Sequence, residues 1–376
     1  MVIKERHSKI AIIIGTKAEL IKCMPLMVEL QKRKRDYWFI HTGQHPLGKI
    51  CEDFNIKKPN FTLSVEPEKE TKFWSKINSF SIFWFFSMIL KTKKILKKIK
   101  PKYVVYHGDT MSTCAAAIGS SKMLNKKKNW KNVHLEAGLR SRSLFEPFPE
   151  EISRQISDFF SDILLAVSEF TENNLKKSKF VSGDILKIGN TVIDSALITY
   201  DLAKKKKIKK IKGDYALINL HRHENIQNKK RLKQIAEIIK KIKINAIWPL
   251  HKSTKLYLEK YELMKDIENM PNMKITPLAD YLEFIFMIAN CKYLVTDGGS
   301  IQEESLVFKK PCIILREKTE RQEGLFTGIN FLTKIDLKST EKIIEMIEEN
   351  KLKIKKFENP YGKRGLTKKI VDELLK

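Results

Sequence analysis

Several things are scarce in this 376-residue chain, and each scarcity excludes something. Its five cysteines, Cys23, Cys51, Cys114, Cys291 and Cys312, are odd in number and form no C-x-x-C pair. That argues against a disulfide framework or a structural zinc site, and predicts reduced, buried thiols in a cytoplasmic protein. The 15 glycines never fall as G-x-G, and no G-x-x-x-x-G-K-[ST] occurs. The dinucleotide fingerprint and the Walker loop are therefore both missing. Arginine is rare, with 11 residues against 61 lysines. Nucleic-acid readers favour the arginine fork. The net charge of +28 thus reads as a general Lys/Ile/Asn bias and not as a nucleic-acid partner. Long-range attraction for an acidic substrate or an anionic membrane face stays open.

Long apolar runs are missing as well. The first, Ile10–Ile14, is too short for a signal-peptide core. "SFSIFWFFSMIL", residues 79–90, falls short of the about 20 residues that span a bilayer. The basic "KTKKILKKIKPK" follows it. The expectation is a buried helix beside a basic turn, with peripheral docking of residues 79–102 on an inner membrane leaflet as the alternative.

What is present is a repeated strand–turn–helix. Strands are predicted at 10–14, 37–41, 103–107 and 133–136, each ending in a glycine turn. A helix opening at Pro149-Glu150-Glu151 is expected to bury Ile152, Ile156, Phe159 and Ile163. After a lysine-rich stretch the pattern restarts, with strands at 215–220, 246–250 and 293–296 and helices around 232–242 and 282–288. Short apolar strands alternating with amphipathic helices imply an α/β protein of two doubly wound Rossmann-like domains, covered on both sheet faces and facing across a cleft. The expected division is 1–190 and 191–361.

The polar residues are not scattered. Gly15, His41, Asp109, Glu136, His221, His251 and Asp297 each fall at or just past the end of a predicted strand. Open α/β sheets bind ligands outside the carboxyl ends of their strands, so seven such residues predict a site. His107 with Asp109, His134 with Glu136, and His221 with His223 are spaced by two, which on a strand puts both members on one face. No three such ligands share an element, so no metal is assigned.

"VTDGGSIQEES", residues 295–305, poses a sharper question. Two glycines before a helix could hold backbone N–H groups open for an anion. Alternatively, Ser300 and Glu303 fit the capping box S-x-x-E, which satisfies those donors internally. Arg321, in "TERQEG", would be a natural phosphate clamp.

The strings "GTKAELIKCMPL", "HTGQH", "HGDT", "HLEAGLRS", "PEEISRQISD", "IGNTVID", "HRHEN", "WPLH", "TDGGSIQEES" and "TERQEGL" occur in the order, and nearly the spacing, of the UDP-N-acetylglucosamine 2-epimerase family. The resemblance runs from about residue 10 to 330. It implies a GT-B-like fold, with a final helix within 362–376 packing back on the first domain. It also implies a cytoplasmic homodimeric isomerase of polysaccharide precursor synthesis, acting on a UDP-sugar without a cofactor. The sugar loses UDP to give a glycal, and UDP then adds back with C2 inverted.

Carried over by position, Asp109, Glu136 and Glu150 match the catalytic carboxylates and His221 the catalytic histidine. Lys17, Lys22, Arg222, His251, Phe284, Gly298, Gly299, Ser300, Glu304 and Arg321 match substrate-binding positions. Gln44 and His45, with Arg222, resemble residues that hold a second UDP-sugar as activator. Structural roles compete at some positions: Asp109 or Thr110 could cap the next helix, and Glu150 could complement a helix dipole. The chain departs from the family pattern where Lys17 and Ala18 replace Arg and Pro, where serine follows the glycine pair, and where Gln322 replaces proline. These changes bear on which sugar is bound, and leave a hydrolysing relative or a lipid-acceptor glycosyltransferase as rival readings.

Overall fold

The computed structural model describes residues 9–65, 79–141 and 150–376. The expected helix start at Pro149 lies outside these residues. The chain divides into two compact units, one of residues 1–195 with 361–376 and the other of 196–360.

In the first unit seven parallel strands, β1 (Ile10–Ile14), β2 (Trp38–His41), β3 (Phe61–Thr62), β4 (Tyr103–His107), β5 (Lys131–Ala137), β6 (Ile163–Ala166) and β7 (Asp184–Lys187), lie in the order β3-β2-β1-β4-β5-β6-β7. Strand order reverses between β1 and β4, the place where doubly wound sheets open a crevice. β1 and β4 are buried along their whole length, which is why they read as unbroken apolar runs. The last helix, Leu366–Leu375, docks on the first helix, Lys17–Lys32, where Arg33 reaches Asp372 at 2.5 Å. Asp194 ties down its start, accepting from the backbone N–H groups of Gly365 at 2.6 Å and Thr367 at 2.8 Å.

Two expectations fail in this unit. The helix Glu150–Phe159 does not reach Ile163, which opens β6. Nor does it bury the apolar face: Glu151, Ser153, Arg154, Ser157 and Asp158 are buried, whereas Phe159 is 49% exposed. The cause is polar, because these side chains bond to one another and to the strand ends, as described below. The helix Ser79–Ile99 is likewise not a buried one. Trp84, Met88, Ile89 and Leu96 pack inward, but Phe83 is 72% and Leu90 63% exposed.

The second unit holds six parallel strands, β8 (Tyr215–Asn219), β9 (Asn245–Pro249), β10 (Met273–Thr276), β11 (Tyr293–Thr296), β12 (Cys312–Ile314) and β13 (Asn330–Leu332), in the order β10-β9-β8-β11-β12-β13. The reversal here falls between β8 and β11. One face is filled by Ile235, Ile239, Trp248 and Ile267, the other by Tyr215, Ile285, Leu294 and Ile314. Among the described residues no helix is long and apolar enough to cross a membrane. All five cysteines are free and buried.

Candidate active site

The carboxyl edge of the first sheet carries the acids. Glu136 lies within β5, yet its φ is 63°, in the left-handed region that a glutamate rarely occupies. The register against β6 shifts between Leu135 and Ala137, so Glu136 is a bulge residue. Such a bulge re-aims a side chain at a cost of roughly 1–3 kcal/mol in backbone strain. The carboxylate is buried, and Oε2 accepts from Lys22 Nζ at 2.5 Å and from Asn190 Nδ2 at 2.9 Å. His107 Nε2 lies 3.7 Å from the same oxygen. Because of the bulge, His134 and Glu136 do not act as the same-face pair their spacing suggests. His134 instead sets Nδ1 2.7 Å from Asp158 and Nε2 2.8 Å from the carbonyl of Gly108. Both partners accept, so the ring is satisfied only when both nitrogens carry hydrogen.

Burial alone would raise the Asp158 carboxyl, but the hydrogen bond and charge of His134, with Arg140 at 2.7 Å, hold it below the usual value. This buried set braces the turn that carries Asp109. Thr110, not Asp109, caps the helix Met111–Ser120, accepting from the Thr113 N–H at 3.1 Å. Asp109 is thereby left to Arg154, whose guanidinium bonds it with one nitrogen and Glu151 with another at 3.1 Å. Glu150 stands half-buried at the first turn of the helix, where a carboxylate is also favoured by the helix dipole.

Behind this edge, Glu19 knits two turns together. It accepts from the backbone N–H of Gly15 at 2.5 Å and of Thr16 at 3.1 Å, and from the hydroxyls of Thr110 and Thr113. Burial pushes its carboxyl up to about 7 against these hydrogen bonds. A side chain on Gly15 would collide with Ser112. Gln44 is buried and accepts from Ser112 at 2.7 Å, while the His45 N–H donates to the Gly15 carbonyl at 2.9 Å. Both therefore pack against the first turn. Lys17 opens the first helix, half-buried.

The second sheet's edge is built around Asp297. Fully buried, it accepts from the N–H groups of His221 at 3.0 Å and Arg222 at 3.1 Å, and from Asn225 at 3.0 Å. This fixes the backbone turn that presents His221, whose imidazole stays 44% exposed. His251 caps the helix Lys252–Lys260, and its ring centre lies 6.1 Å from that of His221.

At the paired glycines a side chain would crowd the ends of neighbouring side chains. Neither has a positive φ, but a Cβ on Gly298 would meet Ile301 at 2.8 Å and one on Gly299 would meet Arg321 Nη1 at 2.9 Å. The capping box is absent: Ser300 has helical dihedrals and makes no side-chain cap. Glu303 instead meets Arg321 Nε at 3.1 Å. Arg321 also bonds Glu320, which Arg316 meets at 3.0 Å, and Arg222 pairs with Glu224. Burial lowers the Arg316 guanidinium, Glu320 opposes that, and the like charges of Arg222 and Arg321 add to it. Glu304 accepts from Tyr281 at 3.0 Å, and Phe284 is half-buried on the neighbouring helix.

Sequence reasoning missed Arg154, Asp158, Asn190 and Arg316. A signal was available for three of them: in a chain this poor in arginine, each Arg marks a place where lysine will not serve. A charged residue every third or fourth position along the helix Glu150–Phe159 was the companion clue. Among the described residues no three His, Cys, Asp or Glu side chains gather as metal ligands would.

Two parallel α/β sheets, each with polar residues at its strand-order reversal, define a protein of the GT-B-like class. The profile of the family described as UDP-N-acetylglucosamine 2-epimerase matches residues 28–375, and the chain belongs to that family. A UDP-N-acetylglucosamine 2-epimerase of Methanocaldococcus jannaschii is 34% identical over 96% of this chain and 98% of its own. A crystal structure of the enzyme of that organism in complex with UDP-GlcNAc and UDP superposes with a TM-score of 0.81 at 32% identity, covering 97% of this chain and 99% of the other. A UDP-2,3-diacetamido-2,3-dideoxy-D-glucuronate 2-epimerase of Pseudomonas aeruginosa is 30% identical over 86% of this chain and 88% of its own.

Proposed function

We propose that this protein is a UDP-sugar 2-epimerase that interconverts UDP-N-acetylglucosamine and UDP-N-acetylmannosamine, or a related 2-acetamido UDP-sugar, for polysaccharide precursor synthesis. The observation that carries the reading is Glu136: a buried carboxylate on a left-handed bulge, held by Lys22 and Asn190, beside a second acid braced by Arg154. A fold does not strain a glutamate and bury its charge for packing alone.

The chemistry requires such groups. The C1–O bond to UDP breaks and its electron pair leaves on the diphosphate. The C2–H bond then gives its electrons to a C1–C2 double bond, and its proton goes to a base. Re-addition reverses both steps on the other face of C2. Inversion needs more than one acid/base group, and Asp109, Glu136, Glu150 and His221 are the proposed set. A base in hydrogen-bond reach contributes roughly 10²–10⁴-fold. Lys22 serves the sugar and phosphates. Lys17, Arg222, His251, Phe284, Gly298, Gly299, Ser300, Glu304 and Arg321 serve the nucleotide and its departing charge, where fixed donors act on the transition state. The first unit thus supplies the three carboxylates with Lys17 and Lys22, and the second supplies His221 and the remaining nucleotide-binding residues. Homodimeric assembly, a cytoplasmic location, and a second UDP-sugar at Gln44 and His45 belong to the same reading.

The test is NMR of the product formed from UDP-N-acetylglucosamine. UDP-N-acetylmannosamine in equilibrium with substrate is expected. Free N-acetylmannosamine with stoichiometric UDP would assign the hydrolysing reaction instead, and turnover with no acceptor present would exclude a strict transferase.

A further inference from the structure

We propose that Glu19 is a positioning residue whose proton decides whether the end of β4 is held. As a neutral acid it donates to Thr113, which donates to the His107 carbonyl; as a carboxylate it draws the Thr113 hydroxyl away. The effect on rate rests on the epimerase reading, whereas the switch itself rests on a count of hydrogens. Glu19 Oε2 is committed, because the backbone N–H groups of Gly15 and Thr16, at 2.5 and 3.1 Å, can only donate. Oε1 faces two hydroxyls, that of Thr110 and, at 3.1 Å, that of Thr113. Thr113 Oγ1 also lies 2.5 Å from the His107 carbonyl, which can only accept.

A hydroxyl carries one proton. With Glu19 ionised, Thr113 serves the carboxylate or the carbonyl and not both, so one contact becomes a pair of facing acceptors. Glu19, Thr113 and His107 are all buried, which makes a missing partner costly. With Glu19 protonated on Oε1 the count closes: Glu19 donates to Thr113, Thr113 to the His107 carbonyl, and Thr110 keeps its proton for Oε1. Burial acts in the same direction, raising the Glu19 carboxyl to about 7.

The charged and titratable neighbours leave this arrangement intact. Lys22 and Cys23 share the helix of Glu19, but Lys22 is taken by Glu136 of β5 at 2.5 Å. Asp109, just past β4, is held by Arg154, and His41 of β2 turns Nδ1 to the Ile14 carbonyl at 3.0 Å. None of them bonds the Glu19 carboxyl, whose partners are the two N–H groups and the two hydroxyls. The end of β4 matters because His107 Nε2 lies 3.7 Å from Glu136 and Asp109 follows two residues later. Loss of the Glu19 proton to solvent therefore loosens two groups of the acid edge together.

The experiment follows two readings across the window around 7 in which Glu19 titrates. One is kcat and KM of the full chain for UDP-N-acetylglucosamine. The other is the NMR shift of the Gly108 amide nitrogen, which senses what the His107 carbonyl accepts. The ratio of wild-type to Glu19→Gln kcat should fall roughly three- to tenfold as pH rises through the window, the weight of one hydrogen bond, with KM unchanged. The Gly108 shift should move over the same window in the wild type and stay fixed in Glu19→Gln, whose amide donates to Thr113 at every pH. Thr113→Val should remove the pH step from both readings, and Thr113→Ser should restore it. A flat kcat ratio, a Gly108 shift that titrates equally in Glu19→Gln, or a step that survives Thr113→Val overturns the proposal. Absence of turnover by the wild type at every pH would sink the epimerase reading, and the Gly108 shift would still decide the switch. If Thr113→Val fails to fold, the wild type and Glu19→Gln decide alone.

Discussion

At the end of β5 the chain bends a glutamate into the left-handed region, whereas after β11 it keeps ordinary dihedrals and removes two side chains. In the first unit the backbone is strained so that a carboxylate can point where a regular strand would not aim it. In the second the backbone is relaxed and glycine makes room for a guanidinium. The difference follows from what each edge is proposed to do. A proton-transfer group must be aimed at one atom, and aim is bought with dihedral strain. A leaving group needs a local field, which Arg222 and Arg321 are proposed to provide. The two edges also differ in how their charges are matched. Three carboxylates, Glu224, Glu303 and Glu320, partner Arg222, Arg316 and Arg321, while Glu136 faces Lys22 with an amide and an imidazole beside it.

The largest effect should come from the strained edge. Glu136→Gln keeps an acceptor for Lys22 and Asn190 but removes the base, so kcat is expected to fall about 10³-fold while UDP binding by calorimetry stays within a fewfold. Wild-type turnover in that variant would remove Glu136 from the reaction.

The Glu19 carboxyl offers a measurement of stability. Its folded-state value of about 7 lies above its ordinary 4.5. The folded state therefore holds an extra proton between those values, and stability falls as pH rises through the window. The expected loss is about 3 kcal/mol between pH 4.5 and 7, levelling off above. In urea titrations, the wild type should lose that much relative to Glu19→Gln over the window. A constant difference across pH would show that Glu19 titrates normally.

Arg154 holds Asp109 and Glu151 together, so Arg154→Lys, which keeps charge but not the fork, should lower kcat by about 10–100-fold with KM little changed. A change in KM alone would place Arg154 in binding and not in the positioning of an acid. The smallest effect is expected at the relaxed edge. Gly299→Ala pushes its new methyl against Arg321 and should weaken UDP binding by about tenfold. If it lowered kcat as Glu136→Gln does, the contrast between the two edges would collapse.

Much of this was legible in the residues. β1, β4, β8 and β11 are short apolar runs because both their faces are covered, and the polar residues that follow them fall at the carboxyl edge. The outer strands β3 and β7 were not legible. β3 has two residues, and β7 is largely exposed, so neither carries an apolar run. The helix Glu150–Phe159 misled in the opposite sense: its apolar spacing is regular, yet salt bridges to the strand ends turn the polar face inward. Ser300 and Glu303 spelled a cap that does not form, because Arg321, distant in sequence, takes the glutamate. No periodicity could show the bulge at Glu136, since it is a backbone event at a single residue. Its place at a strand end marked that residue, and the resemblance gave it a role. The structure supplied the reason it is held as it is.

The most direct measurement is incubation with UDP-N-acetylglucosamine in D₂O, followed by NMR of the recovered nucleotide sugar. If these residues remove and return the proton at C2, deuterium will accumulate at C2 of both epimers in the wild type and at neither in Glu136→Gln. Epimerisation with hydrogen retained at C2 would contradict the account, because the sugar would then have been inverted without the proton transfer that the carboxylates are assigned.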